Sequence, residues 1–244
     1  MPPDRNAAAV AFITGAAGGI GRALIERLRA ERHAVYATDR ALAAVPCTES
    51  GFRAASLDAT DEAGIAGAVA DCLAAFGRID HVIHLAGETG SGPIESVSRS
   101  EWQRLLDVNL TSAFLMAKAA REALRASRGS LTLISSTNGR HGGSAVSGPA
   151  YAVAKAGIIN LTRYLAKEWA PDRIRVNAVA PGPIDTPMMG RFSEQQRARI
   201  AAGVPLGRLG QAREVAAAIA YLIGRDADWV TGTTLNLSGG AVLD

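Results

Sequence analysis

At 244 residues, 48% of them hydrophobic, the chain is long enough for one sizeable core and reads as a single α/β domain over 1–244. A formal net charge of +3, with basic residues scattered among 23 acidic ones, offers no stripe or tail for nucleic acid and leaves a small molecule as the expected partner. Cys47 and Cys72 stand alone with no ligand spacing around them, so no metal is expected; no apolar run approaches the roughly 18 residues of a membrane span, and MPPDRNAAAV lacks a secretory layout, which makes the cytoplasm the expected address.

Seven short apolar runs bounded by turn residues follow one another: AAAVAFITG, HAVYATD, FRAASLD, HVIHLAG, SLTLISS, IRVNAVAPG and TTLNLSGG. Amphipathic stretches at helical spacing, such as IGRALIERLRAE and AREVAAAIAYLIG, lie between them. Strand and helix in alternation imply right-handed crossovers and a doubly wound parallel sheet of about seven strands with helices on both faces. In that arrangement ligands bind beyond the carboxyl ends of the strands, so functional residues are expected to follow strands.

The first strand runs into FITGAAGGIGRAL, where Gly15, Gly19 and Gly21 introduce a helix. Glycine permits a tight turn and a close approach of backbone to a pyrophosphate, and the amides from Ile20 onward sit at a helix N-terminus that favours an anion. The spacing is Thr-Gly-x-x-x-Gly-x-Gly and not Gly-x-Gly-x-x-Gly. The second strand ends at Asp39, placed to accept from the adenosine ribose hydroxyls and to repel a 2′-phosphate, which favours NAD over NADP although Arg40 follows it.

After the third strand, Asp58 is read either as an acceptor for an adenine amino group, with Ala59 beside it, or as the cap of the next helix. After the fourth, Ala86 and Gly87 offer bare backbone for close approach to a ribose, while His84 is read as a packed, hydrogen-bonded strand residue. Asn109 lies in an otherwise apolar helical stretch, where it either kinks the helix or serves the chemistry. Ser136 closes the fifth strand; Ser135, Ser144 and Ser147 are bystanders.

Tyr151 and Lys155 fall one helical turn apart, so phenol and ammonium share a face. Tyrosine titrates near pH ~10, and an adjacent cation is expected to lower that value, making a proton-transfer device. Beyond the sixth strand the rhythm breaks over about 182–210, as a mobile lid would. Met188, Met189 and Phe192 there either line an apolar substrate wall or pack the lid, and Arg140 and His141 are read as a solvated loop with acid recognition as the alternative.

With TGAAGGIG, the Ala86–Gly87 pair, Asn109 within VNL, ISS at 134–136, YAVAK and PGPIDTPM in that order, the chain resembles the short-chain dehydrogenase/reductases over nearly its whole length. The resemblance implies a Rossmann fold, a nicotinamide cofactor, a homotetramer, and a catalytic tetrad at Asn109, Ser136, Tyr151 and Lys155. It also places the Ile184 backbone and Thr186 against the nicotinamide carboxamide, and Tyr151 and Lys155 at the nicotinamide ribose. HLAG at 84–87 departs from the family's usual Asn-Asn-Ala-Gly, so the hydrogen bonds those amides make must be replaced.

The expected activity is NAD-dependent interconversion of a secondary alcohol and a ketone, on a polyol, hydroxy acid or similar small substrate. A 3-oxoacyl-thioester reductase of the same family is the alternative, and an NAD-binding sensor or scaffold without turnover is the rival from another class.

Overall fold

Along the first strand Val10 and Phe12 face one side and Ala11 and Ile13 the other, and all four are buried, because this strand lies in the middle of a sheet covered on both faces. The computed structural model describes residues 8–42, 45–49 and 51–243; the N-terminal segment and the Cys47 side chain lie outside the described residues. The strands are β1 (Val10–Thr14), β2 (Ala34–Asp39), β3 (Val45–Glu49), β4 (Phe52–Ser56), β5 (His81–His84), β6 (Ser130–Ile134), β7 (Arg175–Pro181), β8 (Ile184–Asp185), β9 (Gly210–Gln211) and β10 (Thr234–Leu237). The helices are α1 (Gly19–Ala30), α2 (Glu62–Phe76), α3 (Arg99–Leu106), α4 (Ser112–Ser127), α5 (Asn138–His141), α6 (Pro149–Trp169), α7 (Glu194–Ala202) and α8 (Ala212–Ile223).

The main sheet runs β10-β7-β6-β5-β1-β2-β4-β3, and the seven expected strands are parallel. The eighth, β3, pairs antiparallel with β4 at the edge, with Val45 opposite Ala54 and Glu49 opposite Phe52. Its sequence, VPCTE, is short and carries a proline, which an edge tolerates and a central strand does not. Strand order reverses at β1, between β2 and β5, and opens the crevice where such sheets bind ligands.

Two apolar layers hold the sheet. Phe12, Tyr36, Val82 and Leu131 meet α2, α4 and α6 on one face, and Ile13, Val35 and Ile83 meet α1 and α8 on the other. Each fully buried Leu, Ile or Phe contributes about 2 kcal/mol, and Phe12 and Tyr36, paired in register, stack with ring centroids 5.1 Å apart.

Two local features differ from expectation. Helix α2 is capped by Asp61, whose carboxylate accepts from Ala63 N at 3.1 Å, and not by Asp58. The long helical stretch holding Asn109 is interrupted by a π turn over Asp107–Thr111 between α3 and α4, a distortion that recurs at functional sites. Among the described residues no helix is long and apolar enough to cross a membrane.

Candidate active site

The carboxyl ends of β1, β2, β5 and β6 open into one cavity of about 920 Å³. At its floor Gly15 has φ +67°, and a Cβ there would stand 2.6 Å from the Leu85 carbonyl carbon; a Cβ on Gly21 would strike Gly15 O. Both positions admit only glycine because backbone crosses backbone. Gly18 caps helix α1 with no side-chain cap bond and no acid follows in the first turn, so the N–H groups of Gly19, Ile20 and Gly21, residues that line the cavity, have no intrahelical acceptor.

Asp39 lines the cavity at the end of β2, where Oδ2 accepts from Ala17 N at 3.2 Å and Oδ1 from Ala41 N at 2.9 Å. The carboxylate thus ties the glycine turn to the second strand. Asp58 and Ala59 line the same wall; Asp58 accepts from Thr60 N at 2.9 Å and Thr60 Oγ1 at 2.7 Å, and these bonds, with help from Arg40, hold it below the usual carboxylate range. Ala86 N donates to Thr14 Oγ1 at 3.3 Å, and a Cβ on Gly87 would lie 2.9 Å from Asn109 Oδ1 and 3.2 Å from Lys155 Nζ.

The four residues expected to act together converge at the far end of this cavity. Helix α6 starts at Gly148 (φ +72°) with Pro149 in its first turn, a start that fixes where its first turn points. Tyr151 and Lys155 follow on one face. Lys155 is 2% exposed; its ammonium donates to Ile134 O at 3.0 Å and stands 5.5 Å from the centroid of the Tyr151 ring.

Ser136 lies against the Tyr151 hydroxyl and favours the phenolate, while its own Oγ accepts from Asn138 N at 3.2 Å. Ser135 is turned away, donating to Lys155 O at 2.7 Å, and Ser147 donates to Ser144 O at 3.3 Å; both Ser144 and Ser147 reach the cavity wall. Buried in the π turn, Asn109 donates through Nδ2 to Glu88 O at 2.7 Å and Leu105 O at 2.9 Å and accepts Glu88 N on Oδ1 at 3.2 Å. It satisfies a distorted helix and faces the cavity at once.

The electrostatics correct one expectation. The Tyr151 phenol is pushed above the ordinary tyrosine range by burial, against the opposing pull of Ser136 and Arg191. Lys155 is pushed down to about 7 by burial, with no carboxylate beside it to restore its charge. Desolvation is the largest cause at each group, and it opposes charge on both.

His84 replaces the missing amides of the fourth-strand motif. Ser112 Oγ donates to Val108 O at 2.7 Å, so at the 2.9 Å contact between Ser112 Oγ and His84 Nε2 the imidazole donates. That leaves Nδ1 as the acceptor for Thr14 Oγ1 at 2.9 Å. A neutral imidazole therefore links β1, through β5, to the helix that continues from the π turn. Burial, helped by Lys155, lowers His84 to about 3 and keeps it neutral.

Ile184 and Thr186 line the cavity beyond β7, and a Cβ on Gly19 would lie 2.9 Å from Thr186 Cγ2, so this segment rests directly on the glycine turn. Met188, Met189 and Phe192 all reach the cavity, as does His141, whereas Arg140 donates to Thr234 O at 2.6 Å on the far side. Of the two, only His141 lines the cavity where a substrate acid would be met. Arg191 also lines the cavity, and no sequence reading had singled it out; a lone cation inside the apolar run PMMGRF was the available signal.

Residues 15–242 match a family model described as enoyl-(acyl carrier protein) reductase. The 3-oxoacyl-acyl-carrier-protein reductase FabG of Escherichia coli K12 is 38% identical over 95% of this chain and 96% of its own length. The short-chain type dehydrogenase/reductase y4mP of Sinorhizobium fredii is 36% identical over 96% of this chain and 97% of its own. The chain belongs to the short-chain dehydrogenase/reductase family.

Among solved structures, the ligand-free aldohexose dehydrogenase of Thermoplasma acidophilum superposes with a TM-score of 0.86 at 31% identity, covering 96% of this chain and 94% of that one. As a short-chain dehydrogenase/reductase this protein is an oxidoreductase that takes a nicotinamide coenzyme. The residues present fit one: the Gly15 and Gly21 crossings leave no room for side chains beneath a pyrophosphate, and uncapped amides face the place where its charge would lie.

Proposed function

We propose that this protein reduces the ketone of 3-oxoacyl thioesters with NADH, using Tyr151 as the acid. The sequence put small polyols and hydroxy acids first and thioesters second. The likeness to 3-oxoacyl-acyl-carrier-protein reductases over 95% of the chain reverses that order and is the observation that carries the reading.

The coenzyme would be held by the Gly19, Ile20 and Gly21 amides at its pyrophosphate, Asp39 at the adenosine ribose, and Asp58 and Ala59 at the adenine. Ala86, Gly87, Tyr151 and Lys155 would hold the nicotinamide ribose, with Ile184 and Thr186 at the carboxamide. When bound, it supplies the hydride that reduces the ketone carbon. Tyr151, kept protonated by its burial, donates its proton to the ketone oxygen, and Ser136 donates a hydrogen bond to the same oxygen as negative charge builds there. The phenolate left behind draws Lys155 toward its charged form, so the ammonium is strongest when the tyrosine has given up its proton. Asn109 holds the π turn and, with Gly87, leaves the space beside Lys155 through which the proton is replaced. NADH is favoured over NADPH because the Asp39 carboxylate, at the end of β2, would repel a 2′-phosphate. A cytoplasmic homotetramer completes the reading.

A second reading, oxidation of a hydroxyl on a polyol or sugar, draws on Asp39 and on the likeness to the aldohexose dehydrogenase. The two separate on steady-state rates followed by absorbance of the reduced coenzyme. The thioester reading expects kcat/KM for the N-acetylcysteamine thioester of 3-oxobutanoate with NADH to exceed that for aldohexose oxidation with NAD by about tenfold or more. The opposite ranking transfers the assignment to the sugar.

A further inference from the structure

Arg191 sits in the turn after Thr186, on the wall of the cavity that also holds Tyr151 and Ser136. Its guanidinium lies 4.7 Å from the centroid of the Phe192 ring. The terminal nitrogens donate to Gly90 O at 3.1 Å, Val146 O at 3.0 Å and Thr89 Oγ1 at 3.4 Å. Every one of these partners is neutral. A guanidinium carries five N–H groups, so two remain after those three bonds.

The neighbouring arginines differ. Arg104 is paired with Glu88 at 2.6 Å and Arg197 with Asp185 at 2.5 Å. Arg191 is held in place by two separate loops, yet it stays exposed to solvent, forms no ion pair among the described residues and keeps two spare donors. That charge also reaches Tyr151, where it favours the phenolate.

We infer that Arg191 selects the substrate, by binding the acyl oxygen that lies beyond the methylene next to the ketone being reduced. The inference rests on the proposed 3-oxo substrate. In such a compound a single methylene separates the two carbonyl groups. With the ketone oxygen against Tyr151 and Ser136, the acyl oxygen is carried to the adjoining wall, and a planar fork of N–H donors suits it there. A thioester carbonyl and a free 3-oxo carboxylate present the same acceptor. A plain ketone presents none, and leaves the guanidinium losing water without a partner as the substrate seats.

The test compares the 3-oxobutanoyl thioester of N-acetylcysteamine, 3-oxobutanoate and pentan-2-one on the wild-type protein, Arg191→Gln and Arg191→Lys. In Arg191→Gln the kcat/KM ratio of the 3-oxo substrates to pentan-2-one falls by about tenfold or more, chiefly through KM, while NADH affinity moves less than about twofold. Arg191→Lys, which keeps the charge and loses the fork, lowers the ratio by about threefold and carries the test if the glutamine variant does not fold. A larger fall for 3-oxobutanoate assigns the free acid and a larger fall for the thioester assigns the ester; both support the inference. An unchanged ratio in a folded variant overturns it. Wild-type protein that turns over none of the three overturns the reductase reading itself, an outcome distinct from active protein whose preference ignores residue 191.

Discussion

The buried Lys155 ammonium donates to the Ile134 carbonyl at 3.0 Å and stands 5.5 Å from the centroid of the half-buried Tyr151 ring. The pair is therefore poised as an acid beside a reluctant cation. Negative charge on the phenol and positive charge on the amine each become favourable only when the other is present, which couples proton release to the arrival of a reacting carbonyl.

That reluctance has a stability signature. The free-protein pKa of Lys155, about 7, lies below the unfolded value of 10.5, so the unfolded chain binds more protons between those limits and stability rises with pH across that window. Below about 7 the full cost of a buried ammonium is present. Lys155→Met is expected to raise the Tm of the coenzyme-free protein at pH 6 by about 3 °C or more, with the gain shrinking toward pH 9.5. Thermal unfolding of both proteins across that range reads the difference; a gain that does not change with pH contradicts the assignment.

His84 acts in the opposite pH range. Its folded value of about 3 lies below the ordinary 6.5, so its contribution is fully present above 6.5 and is lost as pH falls toward 3. His81, lowered to about 4 by burial, adds to the same slope. His84→Ala would leave Thr14 Oγ1 and Ser112 Oγ without their buried partner and open a cavity, at a cost of about 3 kcal/mol in urea unfolding at pH 7. In the wild-type protein the imidazole nitrogen resonances of His84 should show a proton on Nε2 and no titration between pH 5 and 8. A proton on Nδ1 would overturn the tautomer, and a titration midpoint near 6.5 would overturn the buried neutral state.

Asp39 should set coenzyme choice. Asp39→Ser removes the carboxylate that repels a 2′-phosphate and loosens its tie to Ala17 N, so the NADH-to-NADPH ratio of kcat/KM is expected to fall by about tenfold or more. The change should shrink as salt is added if charge is the cause. Wild-type protein that already prefers NADPH would show that Arg40, on the same cavity wall, dominates the carboxylate.

Much of this was legible in the residues. The seven parallel strands announced themselves as short apolar runs between turns, and the glycine crossings at Gly15 and Gly21 follow from a strand that must turn at once into a helix. Spacing paired Tyr151 with Lys155 and Ser136 follows a strand, but it was the family resemblance that grouped them with Asn109; all four line one cavity. The edge strand Val45–Glu49 was not visible, since VPCTE, with a proline and two polar residues in five, lacks the apolar run of a buried strand. Asp58 and Asp61 are both good helix caps by residue type, and only backbone geometry chooses between them.

The electrostatics were the hardest to read. Helical spacing puts Lys155 beside Tyr151 and says nothing of how much water either keeps, yet that decides the sign of the tyrosine shift. Arg191 escaped notice for a related reason: nothing in a loop sequence shows which backbone carbonyls will hold a cation at a cavity wall, and here Gly90 and Val146 do so while the residue stays exposed.

The account turns on Tyr151 as the proton donor, and Tyr151→Phe tests it most directly, because the ring and its contact with Lys155 stay while the proton is gone. With the 3-oxobutanoyl thioester and NADH near neutral pH, kcat is expected to fall by about a thousandfold, within the range for losing a positioned acid, while the dissociation constant for NADH moves less than about threefold. A variant that keeps more than about a tenth of the wild-type kcat would contradict the claim.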